Sequence, residues 1–241
     1  MHTVAPLDNV ATFRLLVSRL LTRRAHLPGI GVFFGPSGFG KTQSAVYGAN
    51  ECGAHYLELG RLWTTKKFLE HLARLVGAPA RGTTADLHQS VIEALAAAPT
   101  LLIIDEADHA VARGYDEAIR DIHNKTGVPI VLIGEELLPQ AMRRNERLHN
   151  RVLAWVAAQP ATADDAAVLA KLYVTDTCGV TITRDLTDLI AARAGGRVRR
   201  ICVGVDAVRE WAEAEGLSAV DAAAWGDRPL WDAAPSKVRR I

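Results

Sequence analysis

Cysteine is scarce in this chain and follows no pattern. Cys52, Cys178 and Cys202 are odd in number, far apart and without a C-x-x-C pair. That excludes a disulfide framework and a thiolate zinc site, and it points to a reducing compartment. Long apolar runs are also missing: none approaches the roughly 20 residues of a membrane-spanning helix. The first ten residues hold Pro6 and Asp8 and no apolar core, so no signal peptide is expected. Neither charge is in excess. With a net charge of +1 over 241 residues, any nucleic-acid binding must come from local clusters. There is no internal repeat and no low-complexity block. What remains, 49% hydrophobic and 23% charged, is ordinary globular composition, enough for one medium domain and a small one. A soluble protein with no membrane partner is expected.

One stretch organises the rest. Gly35-Pro36-Ser37-Gly38-Phe39-Gly40-Lys41-Thr42 fits G-x-x-x-x-G-K-[ST], the phosphate-binding loop of nucleoside triphosphatases. Its flanks suit that reading. Ile30-Gly31-Val32-Phe33-Phe34 reads as a buried strand, and Thr42 to Cys52 as a helix stopped by Gly53. The glycines let backbone N–H groups curl around phosphate oxygens, and the helix N-terminus adds the positive end of its dipole. Lys41 is expected to reach the β- and γ-phosphates and the Thr42 hydroxyl to ligate Mg²⁺, with Gln43 beside them on the nucleotide.

A second signal lies at Thr100-Leu101-Leu102-Ile103-Ile104-Asp105-Glu106. Four aliphatics without alternation predict a strand buried on both faces, as in the middle of a parallel sheet. Two acids at its carboxyl end stand where open α/β sheets place their sites. Asp105 fits a direct or outer-sphere Mg²⁺ ligand, and Glu106 a general base or water-orienting group. The letters Asp105-Glu106-Ala107-Asp108 do not make a DEAD-box helicase, because the tandem sheet domains and further motifs are missing.

Other elements follow from periodicity. Val10–Ala25 predicts a helix capped by Asp8 or Asn9, with Arg14, Arg19, Arg23 and Arg24 as a solvated face or a surface for DNA or a partner. Strands are predicted at 54–59, 129–134 and 152–156, and helices at about 65–76, 85–98, 115–126 and 137–150. In the last of these, Arg143, Arg147 and Arg151 are four apart and share a face. Gly60 to Lys67 opens a helix unusually. Thr64 or Thr65 can cap it, but Lys66 and Lys67 then oppose the dipole in its first turn. They are either solvated lysines or, with the threonine hydroxyls, contacts for a nucleic-acid backbone. From Pro160 no run reads clearly as a core strand. Helices are predicted at about 162–176, 184–194 and 196–215, a further turn or two at 218–225, and a flexible basic tail ending Lys237-Val238-Arg239-Arg240.

Together these features resemble the AAA+ ATPases over about residues 10–215: a P-loop parallel sheet flanked by helices, followed by a small all-α lid. The expected boundaries are 1–159, 160–226 and a tail at 227–241. The resemblance implies ATP and Mg²⁺ as cofactors. It makes Arg199, with Arg200 as neighbour, the second sensor touching the nucleotide. Arg151, with Arg147 in reserve, becomes a finger acting on a neighbouring subunit. The compact layout and the opening Trp63-Thr64-Thr65-Lys66-Lys67 look like the target-DNA-binding regulators of Mu-type phage transposition, related to IstB-type helpers and helicase loaders. That likeness implies duplex DNA, a transposase and self-assembly into a filament or ring as partners, in the cytoplasm of a bacterial host cell. Thr64, Thr65, Lys66 and Lys67 would be the DNA contacts. The chain departs from the pattern at Glu135, where the family usually has Asn, Thr or Ser as first sensor. A carboxylate cannot donate to phosphate when ionised. It can hold an arginine or engage the base, so hydrolysis that is slow or gated by DNA is expected. The alternatives are a helicase-loader-type ATPase and a nucleotide-gated scaffold with little hydrolysis. Only about thirty residues precede the loop, where the family's phage Mu regulator has a further N-terminal domain.

Overall fold

A computed structural model describes residues 7–231. The last ten residues, and with them most of the expected basic tail, lie outside it. The chain divides into two compact units, Asn9–Ala158 and a second formed by residues 7–8 with those from Gln159 onward.

The first unit is built on five parallel strands in the order β2-β3-β4-β1-β5. They are β1 (Ile30–Phe34), β2 (His55–Glu58), β3 (Leu102–Asp105), β4 (Ile130–Gly134) and β5 (Val152–Ala157). The three central strands carry unbroken apolar runs, because helices cover both faces there. Successive residues point to opposite faces. Val32, Ile104 and Leu132 enter one core layer, while Phe33, Ile103 and Val131 enter the other. The second layer is closed by α1 (Asp8–Leu21) and α2 (Lys41–Cys52), where Phe13 meets Phe33 edge-on at 5.4 Å. The first is closed mainly by α3 (Thr65–Leu75), α4 (Thr84–Ala97), α5 (Asp108–Arg113) and α6 (Asp116–Thr126). A reciprocal Thr83–Asp86 capping box starts α4, and Gly127 in a left-handed conformation ends α6. Phe68, fully buried, stacks on Tyr115 at 5.3 Å. Phe68→Ala is expected to cost about 3–5 kcal/mol of stability, measurable as a lowered urea midpoint.

The structure corrects two predicted elements. The helix expected over 10–25 ends at Leu21, so Arg23 and Arg24 lie beyond it. The single helix expected over 137–150 is two short ones, α7 (Leu138–Met142) and α8 (Glu146–His149). The break has a clear cause at Asn145. Its amide donates to Asp116 at 2.8 Å and Glu117 at 2.9 Å, while its side-chain oxygen caps α8 by accepting from Leu148 N. Arg143, Arg147 and Arg151 therefore do not share one helical face.

The second unit is mostly helical, as expected: α9 (Ala163–Ala170), a π-helical turn (Lys171–Thr175), α10 (Asp176–Cys178), α11 (Arg184–Ala194), α12 (Val198–Glu215) and α13 (Ala222–Trp225). A Thr162–Asp165 capping box opens α9. Two short parallel segments, β6 (Thr181–Ile182) and β7 (Ala219–Val220), tie the connections together.

Candidate functional site

The phosphate loop leaves the carboxyl end of β1 and enters α2 at Lys41. Gly38 and Gly40 take φ of 89° and 81°, which a side chain resists. Gly40 caps α2 without a side-chain acceptor, so first-turn N–H groups face the loop unpaired by any cap. Asn9 of α1 steadies the loop by donating to Phe39 O at 2.8 Å. Lys41 is 8% exposed, and its ammonium donates to Gly35 O at 2.6 Å and Pro36 O at 3.0 Å. Ser37, Thr42 and Gln43 are exposed.

The acids meet this loop from the next strands. Asp105, 3% exposed, accepts from the Thr42 hydroxyl at 2.8 Å and the Tyr56 hydroxyl at 2.9 Å, both through Oδ2. Its Oδ1 accepts from Glu106 N at 2.8 Å. Burial, with Asp105 beside it, pushes the Tyr56 hydroxyl up, so it stays a protonated donor. Glu106 has φ of 56° and is the one non-glycine residue with positive φ among the described residues. Such strain of about 1–3 kcal/mol is typical of functional positions. Burial, then Asp105, raises its carboxyl pKa; Glu135 and Asp108 act in the same sense and His109 opposes them.

Glu135 follows β4 and lies 3.7 Å from Lys41 Nζ. Its partner is thus the loop lysine, not an arginine. Asp108 positions it from below by accepting from Glu135 N at 2.8 Å.

Lys41, Thr42, Asp105, Glu106 and Glu135 are therefore brought together at the carboxyl ends of β1, β3 and β4. Thr64 to Lys67 lie at the same end of the sheet, at the start of α3. The chain reaches them from β2, where Leu59 N donates to Asp105 O at 3.0 Å. Thr64 caps α3 by accepting from Lys67 N; Lys66 and Lys67 are exposed, and Lys67 also lies 3.8 Å from Glu70. Arg151 stands apart from its own loop. It precedes β5, and its carbonyl accepts from Ile30 N at the amino end of β1. Arg147 and Arg151 are exposed. Arg199 belongs to the second unit, exposed in the first turn of α12, and Arg200 beside it lies 5.6 Å from the Trp231 ring. Sequence reading missed Tyr56, Asn9 and Asp108. Only the proximity of Asp108 to the acidic pair was available as a signal.

Among the described residues, no group of three or more His, Cys, Asp or Glu side chains could hold a metal alone. Mg²⁺ does not need one, since it takes one or two protein oxygens together with phosphates and water. The Thr42–Asp105 pair fits that donor set.

A parallel sheet with a glycine cradle, a buried lysine and acids at its carboxyl ends is the P-loop arrangement of the AAA+ fold. Residues 23–142 match the family model described as an AAA domain. The fold is similar to that of Aeropyrum pernix ORC2 in its ADP form, with TM-score 0.68 and 18% identity over 91% of this chain and 68% of that one. It is similar to Aeropyrum pernix ORC1 in complex with DNA, with TM-score 0.63 and 19% identity over 90% of this chain. The chain spans 63% of that ORC1 chain. Domain III of the Thermotoga maritima replication initiation protein DnaA aligns with TM-score 0.57 and 16% identity over 92% of this chain and 91% of its own. No curated protein matches the chain in sequence. Among the described residues, no helix is long and apolar enough to cross a membrane.

Proposed function

We propose that the chain is an ATPase that binds duplex DNA in its ATP state, largely without sequence preference, and assembles on it. Its role in this reading is target selection and transposase stimulation in DNA transposition. The observation that carries the enzymatic part is the convergence of Lys41, Thr42, Asp105 and the strained Glu106 on one loop. Lys41 turns from the Gly35 and Pro36 carbonyls to the β- and γ-phosphates. Thr42 and Asp105 would hold Mg²⁺, which would supply charge neutralisation on the phosphates. Glu106 orients water and takes its proton as the water oxygen bonds to the γ-phosphorus and the bond to ADP breaks. Arg151 completes the site of a neighbouring copy, and Arg199 senses the nucleotide from the second unit.

The DNA part is supported by four polar residues at one helix start. Thr64, Thr65, Lys66 and Lys67 combine hydroxyls, cations and first-turn N–H groups, which suit a phosphate backbone. The main-chain bond from Leu59 N to Asp105 O sets the start of this segment beside the acid of the phosphate site. Lys66→Glu with Lys67→Glu is expected to abolish DNA binding at moderate salt while ATP still binds. In the parent, log affinity should fall with log salt, and replacing one lysine with alanine should flatten that slope by about 1. Unchanged DNA affinity in the double variant would rule these lysines out.

Glu135 keeps a second reading open. Its carboxylate faces Lys41, where it competes with phosphate for the ammonium. In that reading the chain is a nucleotide-gated scaffold. Turnover measured with and without duplex DNA separates the two, since the scaffold hydrolyses in neither case.

A further inference from the structure

Tyr56 has no part in the chemistry proposed above, yet the fold aims it at Asp105. In the parallel pairing of β2 with β3 it stands opposite Ile103. Residues two apart in a strand share a face, so Tyr56, Ile103 and Asp105 lie on one side of the sheet. That side is the layer closed by α2, whose first turn carries Thr42. The Tyr56 ring packs against this layer, and its phenol passes Ile103 to meet the carboxylate.

Two hydroxyls then meet on one atom. Asp105 Oδ2 accepts from Thr42 at 2.8 Å and from Tyr56 at 2.9 Å, while Oδ1 accepts from Glu106 N at 2.8 Å. An ionised carboxylate has about four acceptor positions shared between its oxygens. Those on Oδ2 are filled, and one on Oδ1 is left. The arrangement has a consequence for a cation. Thr42 spends its proton on Asp105 and keeps its oxygen lone pairs for the metal. Oδ2, the carboxylate oxygen bonded to Thr42, can ligate the same ion only by giving up a donor. Cations differ in what they need here. Mg²⁺ accepts a site with few protein oxygens, because it keeps several of its waters, whereas Ca²⁺ takes about six to eight oxygens and gains from a direct carboxylate.

We propose that Tyr56 is a positioning residue that sets the cation preference of the nucleotide site. By filling the second position on Asp105 Oδ2 it keeps that oxygen from ligating directly. Asp105 then acts through Thr42 and water, and Mg²⁺ is favoured over Ca²⁺. This rests on the reading of Thr42 and Asp105 as the holders of a nucleotide-bound cation.

The test reads binding, not turnover. The full chain and its Tyr56→Phe variant, which keeps the ring and loses only the donor, are titrated with fluorescently labelled ADP in Mg²⁺, in Ca²⁺ and without either. The ratio of affinities in Mg²⁺ and Ca²⁺ should fall about tenfold in the variant, the usual weight of one hydrogen bond to a charged group. Affinity without a cation should stay as it was. A purely structural Tyr56 would lower the melting temperature and weaken binding with both cations alike; that unchanged ratio overturns the proposal. Asp105→Asn supplies a cross-check, since a neutral amide is a poor ligand. Adding Tyr56→Phe to it should no longer move the ratio, and the full shift there would show that the effect bypasses Asp105 and overturn the proposal as well. A further measurement needs no variant at position 56. Mn²⁺ bound with ADP to the unaltered chain should give couplings to labelled aspartate carbon too weak for direct ligation in electron–nuclear double resonance, and a strong coupling refutes the proposal. Parental binding that ignores both cations is a different failure. It removes Thr42 and Asp105 as metal holders, and Tyr56 with them, whereas a parent that needs Mg²⁺ and a variant with the parental ratio removes Tyr56 alone.

Discussion

Replacing Glu106 with glutamine is expected to leave ATP bound and to slow its hydrolysis by about 10²–10⁴-fold, the usual weight of a positioned proton acceptor. Glutamine keeps the size and the left-handed backbone but cannot take a proton. The raised pKa of Glu106 has two further consequences. In the parent, hydrolysis should rise with pH through that elevated value, because the ionised carboxylate is the active form. The glutamine variant should lose this limb. Stability should move in the opposite sense. A carboxyl whose folded pKa lies above its unfolded value, about 4.3 for glutamate, stabilises the fold below the unfolded pKa. That contribution is lost as pH rises through the folded pKa. Glu106→Gln should therefore melt above the parent at neutral pH without nucleotide, with the difference closing below about pH 4. Thermal melts from pH 4 to pH 8 and single-turnover hydrolysis check both. A variant with parental turnover removes Glu106 from the chemistry.

Arg151→Ala is the other large effect, an expected fall in turnover of about 10³-fold or more with nucleotide affinity little changed. In the proposed reading the effect crosses between copies, and the sheet supplies the reason. Arg151 begins beside Ile30, and the phosphate loop begins after Phe34 at the other end of the same strand. Five residues of parallel strand span about 16 Å, farther than an arginine side chain extends. A fast variant would refute the finger, with Arg147 of α8 the next residue to test. A slow variant whose hydrolysis returns on mixing with Lys41→Ala subunits would establish action in trans. That result would also require the chain to work as an assembly.

The parts of the fold that were legible in the sequence are those dictated by local chemistry. Runs such as Ile103-Ile104 and Ile130-Val131-Leu132-Ile133 can only be buried on both faces, and they became the centre of the sheet. The loop Gly35–Thr42 was legible because its glycines serve a backbone shape, whatever surrounds them. The helix expected over 137–150 failed for the opposite reason. Its break at Asn145 is made by Asp116 and Glu117, about thirty residues away, and helical periodicity does not register a distant acceptor. The six-residue α5 was missed because so short an element has no period to read. Tyr56 on Asp105, Asn9 on Phe39 and Asp108 on the Glu135 backbone were illegible for the same reason as Asn145.

Composition, strand runs and the glycine-lysine motif determined by themselves that this chain folds as a P-loop α/β protein with a candidate triphosphate site. These properties depend on residue type and near-neighbour spacing. Only the tertiary structure decided which side chains complete the site. It set Glu135 against Lys41, strained the backbone at Glu106, moved Arg151 to the far end of the sheet and brought the Tyr56 hydroxyl to Asp105. Each of those depends on strand order and helix ends that bring distant residues within a few ångströms, and no linear pattern encodes that distance.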